Sequence, residues 1–146
     1  VFKASSGSVQ IIFDVTGYFV ASSAGTTYVA LSPTRLLDTR FGNGLSGAFS
    51  PNVPRSFVVA GRGGVPANAV AVTGNLTITS ATRAGYVTLT PTRDANPPTS
   101  TINFPAGDTR ANGITVPLGP DGSLAAVFKA SSGSVQIIFD VTGYVR

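Results

Sequence analysis

The sequence contains no cysteine, histidine, methionine or tryptophan, and its six acidic residues are all aspartates. Without cysteine, the chain forms neither disulfides nor thiolate metal sites. Without histidine or glutamate, a serine or threonine nucleophile lacks its usual general base. Two aspartates acting as acid and base in glycoside hydrolysis are the remaining route to catalysis, but no spacing singles out a pair. The composition therefore predicts a protein that is not an enzyme and holds no cofactor.

The charge is basic but dispersed, with ten Lys and Arg residues against six Asp and a net charge of +4. A nucleic-acid-binding protein usually concentrates such residues in a patch or a run, so we expect no nucleic acid partner. Residues 15–34 and 63–82 lack charge for about twenty positions, the length of a membrane span. Glycine, proline and polar residues interrupt both stretches, and we expect neither to cross a membrane.

The hydrophobic residues alternate with polar ones along most of the chain. In "SVQIIFDVTGY", Val135, Ile137, Phe139 and Val141 share one face of a strand, and this period of two is typical of a half-buried β-strand. Turn-forming stretches such as "FGNG", "GRGG" and "GPDG" separate segments of this kind. The pattern predicts an all-β fold of about nine to ten short strands, either a β-sandwich or jelly-roll-like.

A duplication is the strongest signal in the sequence: residues 1–18 are identical to residues 127–144, an offset of 126 positions. Such a period indicates a repeated structural unit. We expect one β-sandwich repeat over residues 28–146 and a Ser/Gly/Ala/Thr-rich linker over residues 19–27. Residues 1–18 are then the C-terminal strand pair of a preceding repeat, or a donor segment.

The first copy carries the same apolar face as the second but has no place in the same domain. An exposed strand of this kind is a template for pairing with another chain. We therefore expect its partner to be a copy of the protein, joined in one polypeptide or by strand donation, in a head-to-tail filament or surface array. The expected inter-subunit residues are Val9, Ile11, Phe13, Val15 and Tyr18.

The segment "PTRLLDTR" brings Arg35, Asp38 and Arg40 within six positions. Arginines at this spacing suit bidentate binding of an anion or a sugar. The alternative, which we favour, is a structural clamp in which the aspartate pairs with an arginine where the chain joins the sheet.

Calcium and sugar are two further ligands that the sequence suggests, and each suggestion has a structural alternative. Asp94, Asp108 and Asp121 fall in predicted loops, where calcium binds, but none has the dense spacing of a calcium loop; we expect turn acids and no metal. The four tyrosines offer a sugar-binding surface, but Tyr28 and Tyr86 begin strands, where packing is the commoner role.

Several segments together resemble a β-rich domain of secreted and surface proteins of bacteria, which often occurs in tandem. They are "YVALSPTRLLDTR", "GVPANAVAVTGNLTITSAT", "GYVTLTP", "STINF", "NGITVPLGPDG" and "GSVQIIFDVTGY", and the resemblance covers residues 28–144. It implies an extracellular or cell-surface location and a noncatalytic, accessory or structural role. The expected function is a structural or adhesive repeat. The alternative is a module for polysaccharide or cell wall, displayed in tandem for avidity.

Overall fold

The fold is that of a computed structural model, which describes residues 5–8, 18, 20–21 and 25–146. Its eight strands are β1 (Tyr28–Asp38), β2 (Arg55–Val58), β3 (Ala71–Thr79), β4 (Gly85–Thr90), β5 (Ile102–Phe104), β6 (Arg110–Pro117), β7 (Ser123–Lys129) and β8 (Gln136–Val145). These described residues include no helix of the length and apolarity that a membrane crossing requires.

The all-β prediction is confirmed, whereas the strand count is lower than the nine to ten expected. The described part of the chain has eight strands, and isolated bridges pair Asp38 with Asn43, Phe49 with Val135 and Pro51 with Phe128. Proline lacks the N–H that a longer ladder would need at residue 51.

The strands form two antiparallel sheets of four strands each. Sheet I has the order β1-β8-β3-β6, and sheet II has the order β2-β7-β4-β5. One hydrophobic core contains residues from both sheets, and the rings of Phe57 on β2 and Phe139 on β8 meet with centroids 6.0 Å apart. The sheets therefore share their inner faces in a sandwich-like arrangement.

Strand β3 shows how the sequence pattern builds the core. Its even-numbered residues are buried and its odd-numbered residues are half-buried, in strict alternation. Gly74 takes an inward position because the Phe139 ring fills the space above it: a Cβ there would lie 2.5 Å from two ring carbons. The small residue on β3 thus accommodates the large one on β8.

Strand β8 follows the predicted pattern up to a bulge. Ile137, Phe139 and Val141 are fully buried, as the alternation predicts. Between Val141 and Gly143 the register against β3 shifts by one residue, and this bulge turns Tyr144 toward the core. Ile138 departs from the prediction of a single buried face: it is 5% exposed because Asp38 and Thr77 flank it on the neighbouring strands.

The outer faces of the two sheets differ in exposure. Val127 and Thr88 lie opposite each other in sheet II and are buried, because the loop after β4 crosses over them. The Thr88 hydroxyl donates to the Thr99 carbonyl (2.6 Å), and the Lys129 ammonium donates to the Ala95 carbonyl (2.7 Å). The outer face of sheet I keeps partial exposure along β3 and β8 and is where polar side chains gather.

Candidate functional site

The second copy of the duplicated segment occupies the centre of both sheets. It comprises the end of β7 and nearly all of β8. Strand β8 pairs with β1 on one side and β3 on the other, and β7 lies between β2 and β4. The segment therefore depends on partner strands on both flanks and reaches its folded environment only inside a complete unit.

The first copy is described at Tyr18, which gives a direct comparison with Tyr144. Tyr18 is 86% exposed and Tyr144 is 8% exposed, although each ends the same eighteen residues. Tyr144 is buried by the strands around it, whereas Tyr18 has no such cover in this chain. Of the expected inter-subunit residues, Val9, Ile11, Phe13 and Val15 lie outside the described residues.

The structure brings Arg35, Asp38 and Arg40 together at the end of β1. Asp38 is 2% exposed and accepts hydrogen bonds from Arg40 Nε (2.9 Å), Arg40 Nη2 (2.8 Å) and the Arg40 backbone N–H (3.2 Å). Arg35 Nη1 donates to the same carboxylate over 3.2 Å. The hydrogen bonds from Arg40 lower the pKa of Asp38 below its ordinary value of 3.8.

Sequence reasoning missed the main partner of Arg35. Asp140 on β8 accepts from Arg35 Nε (2.8 Å) and Arg35 Nη2 (3.1 Å), a bidentate pair that raises the pKa of Arg35. The two residues are opposite each other in the β1–β8 register. The opposite charges of Arg35 and Asp140 are visible in the sequence. The register that places these residues opposite each other, 105 positions apart, is not. An anion at Arg35 would have to displace one of these carboxylates.

The side chains of Arg62 and Asn43 also hold the end of β1 in place. Arg62 donates to the Leu36 carbonyl (3.1 Å) and to Asn43 Oδ1 (2.9 Å), and Asn43 Nδ2 donates to the Arg35 carbonyl (3.1 Å). Gly44 adjoins them with φ of +76°, where a Cβ would lie 2.6 Å from the Leu36 carbonyl oxygen. The arrangement immobilises the end of β1 through backbone and side-chain contacts together.

A shallow, open depression of about 430 Å³ lies on the outer face of sheet I. Tyr28 forms one wall: its hydroxyl is 3.1 Å from Thr73 Oγ1, which is 3.1 Å from Thr142 Oγ1. The ring lies over Gly143, where any side chain would overlap it, and remains 44% exposed. One aromatic face beside a row of hydroxyls is chemically suited to a sugar ring.

The loop acids serve local turns. Asp94 accepts from the Asn96 backbone N–H (2.8 Å), Asp108 pairs with Arg110, and Asp121 accepts from the Ser123 N–H (3.1 Å) and hydroxyl (2.6 Å). Over the described ranges, no three acidic side chains come close enough together to hold a metal ion.

Comparison with known proteins adds no assignment to this geometry. The sequence matches no family model, and no curated protein matches it. The site is therefore interpreted from the duplicated segment and the surroundings of its second copy.

Proposed function

We propose that the protein is an extracellular structural β-sandwich repeat that builds a head-to-tail filament or surface array through β-strand pairing. The observation that carries the proposal is that the tyrosines ending the two identical segments differ in exposure: Tyr144 is 8% exposed and Tyr18 is 86% exposed. Identical side chains gain the same free energy from burial, about 1.5–3 kcal/mol for each large apolar one. The first copy completes a neighbouring unit and gains that burial there.

Covalent tandem units are the form of the array that we favour. Each unit already holds its own copy of the segment between two partner strands in each sheet. A strand donated by another chain would have to displace that copy. As the tail of a preceding unit in the same polypeptide, residues 1–18 would pair with the strands of that unit and displace nothing. The resemblance of "RLLDTR" and "DVTGY" to a domain of secreted and surface bacterial proteins supports the extracellular location and the structural or adhesive role.

A complementation experiment tests the fit of the first copy. A chain of residues 28–126 lacks β8 and most of the β7 end, so it presents an incomplete unit. We expect the full chain to bind it when the two are produced together, because residues 1–18 supply the missing strands. A full chain with Phe13→Asp, which puts a charge at the position equivalent to the buried Phe139, should not bind.

A chain beginning at Tyr28 provides the matched control. It keeps β7 and β8 and is expected to fold, but it has no first copy to donate, so it should neither capture residues 28–126 nor extend an array. Capture by this control equal to that by the full chain would contradict the proposed pairing. Failure of the full chain to capture the incomplete unit would contradict it as well.

Polysaccharide binding is the second candidate, favoured by the depression beside Tyr28. Its aromatic face and threonine hydroxyls suit a sugar, and tandem display would turn a weak site into appreciable avidity. Titration of soluble cell-wall polysaccharide into the full chain would show saturable binding, lost in Tyr28→Ala and kept in Tyr86→Ala, a half-buried tyrosine of sheet II. Absence of saturable binding rejects this candidate and leaves the structural one.

A further inference from the structure

Thr27, just before β1, and Arg146, just after β8, lie side by side. The Thr27 N–H donates to the Arg146 carbonyl oxygen (2.7 Å), and the Arg146 N–H donates to the Thr27 carbonyl oxygen (3.1 Å). The two residues thus form a closed hydrogen-bonded pair that extends the antiparallel β1–β8 ladder beyond Tyr28 and Val145. In a tandem chain, tension would act on these two residues and pull them apart across the ladder.

This direction of pulling loads the ladder bonds one after another. Hydrogen bonds of an antiparallel pair lie perpendicular to the strands, so a force that separates the adjoining ends acts first on the terminal bonds alone. Strand β1 is the edge of sheet I and bonds only to β8, whereas β8 is also held by β3. Strand β1 is therefore the one that detaches.

The first half of β1 is weakly anchored and the second half is firmly anchored. None of residues 28–34 is buried, while Leu36, Leu37 and Asp38 all are. The register is also irregular between Ala30 and Thr34, a stretch that includes a proline without a donor N–H. Val29 and Leu31 pack against the core but are only partly buried, so detachment of this half exposes less apolar surface for each residue than detachment of residues 36–38 would.

The Arg35–Asp140 pair stands where the weak half ends. Arg35 binds Asp140 through two nitrogens and Asp38 through the third, and the buried residues of β1 follow directly. A peeling front that moves from Thr27 meets this bidentate contact before it meets the core.

We propose that the unit is a force-yielding element, in which tension on its two ends peels residues 28–34 of β1 from β8 and the Arg35–Asp140 ion pair arrests the peeling. This inference rests on the tandem array proposed above, since only an array places tension on both ends. Reversible release of a short length would let a surface array extend under load while the sandwich core stays folded.

Single-molecule pulling on the full chain tests the proposal. The protein has no cysteine of its own, so Gly25→Cys and Arg146→Cys supply unique attachment points at the two ends. At rising force we expect a first, reversible extension of about 35 Å before the larger extension of the remaining fold. Seven extended residues span about 25 Å, and the stretch of β8 from Val141, the partner of Thr34, to Arg146 adds about 15 Å, less the initial spacing of about 5 Å between the ends. One extension step that unfolds the whole unit would overturn the proposal.

A second pair of attachment points in the same chain isolates the effect of direction. Gly25→Cys with Ser132→Cys pulls β1 and β8 from opposite ends, so that the ladder bonds share the load in shear. We expect this geometry to require a higher force and to lack the early step. A first yielding force in the terminal geometry that equals or exceeds the force in shear would also overturn the proposal.

The arrest is tested by Asp140→Asn against Asp108→Asn, which removes the Arg110 pair away from β1. At constant force, Asp140→Asn should shorten the lifetime of the partly peeled state about two- to fivefold, as expected for an ion pair that solvent partly screens. Asp108→Asn should leave it unchanged. Equal lifetimes in both variants would remove the ion pair from the mechanism. These measurements use single units, so they stand or fall separately from the array.

Discussion

Phe139 is the residue whose truncation should cost the unit most clearly. It is fully buried, its ring meets that of Phe57 with centroids 6.0 Å apart, and it covers Gly74 on the neighbouring strand. Replacing it with alanine forfeits the transfer free energy of the ring and leaves a cavity between the sheets. The adjoining positions already hold a glycine and well-packed side chains, so little can move in. We expect a loss of about 3–5 kcal/mol in the free energy of unfolding.

Urea unfolding of the full chain, with the slope of each transition compared, measures this loss. Val58→Ala is the control, because Val58 is adjacent to Phe57 but 54% exposed; its cost should stay within about 0.5 kcal/mol. A loss below about 1 kcal/mol for Phe139→Ala would refute the assignment of the inner face. A similar loss for both variants would show that the buried fraction of the side chain does not set the cost of truncation.

Three further predictions concern the contacts of sheet I. Gly74→Ala should destabilise the unit by about 1–3 kcal/mol, because its methyl group would collide with the Phe139 ring; unchanged urea stability would contradict this. Gly143→Ala should displace Tyr28, so that a cost measured in the native sequence disappears in a Tyr28→Ala background. The lowered pKa of Asp38 means that the carboxylate stabilises the folded chain fully at neutral pH, above its pKa in the unfolded chain. This contribution is lost as the pH falls through the pKa in the folded chain, which lies below 3.8. Asp38→Asn should therefore be less stable at pH 7 and lose less stability on acidification; parallel pH profiles would contradict it.

The alternation of apolar and polar residues predicted correctly the buried face of strands in which one period of two holds along the whole strand. Strand β3 has one buried and one half-buried face throughout, so its sequence period is also its structural period. Strand β7 differs, because its residues are buried on both faces. The reason is the loop that covers Val127 and Thr88, and this cover depends on the tertiary path of residues 91–101 rather than on the strand.

The bulge in β8 shows a second limit of pattern reading. A strict period of two places Tyr144 on the face opposite Val141, but the extra residue at Thr142 turns it inward. The glycine that follows hints at a bulge, yet its effect on the face of the tyrosine depends on the register with β3. That register is a long-range property.

The cluster at the end of β1 was predicted in part. The spacing of Arg35, Asp38 and Arg40 suggested their proximity, because all three belong to one short segment. Asp140 and Arg62 come from distant parts of the chain, and only the sheet order brings them to the same corner. Ion pairs within one short segment can therefore be predicted from the sequence, whereas the distant residues that bind this segment to the sheet cannot.

In the array that we propose, consecutive units share one polypeptide, and the mass of the denatured protein from its natural source decides whether they do. Residue 127 repeats residue 1, and this offset sets one unit together with its linker at 126 residues. We expect a chain whose denatured mass corresponds to several such units, and we expect limited proteolysis at the linkers to release fragments of about one unit. A denatured mass of a single unit would contradict this expectation.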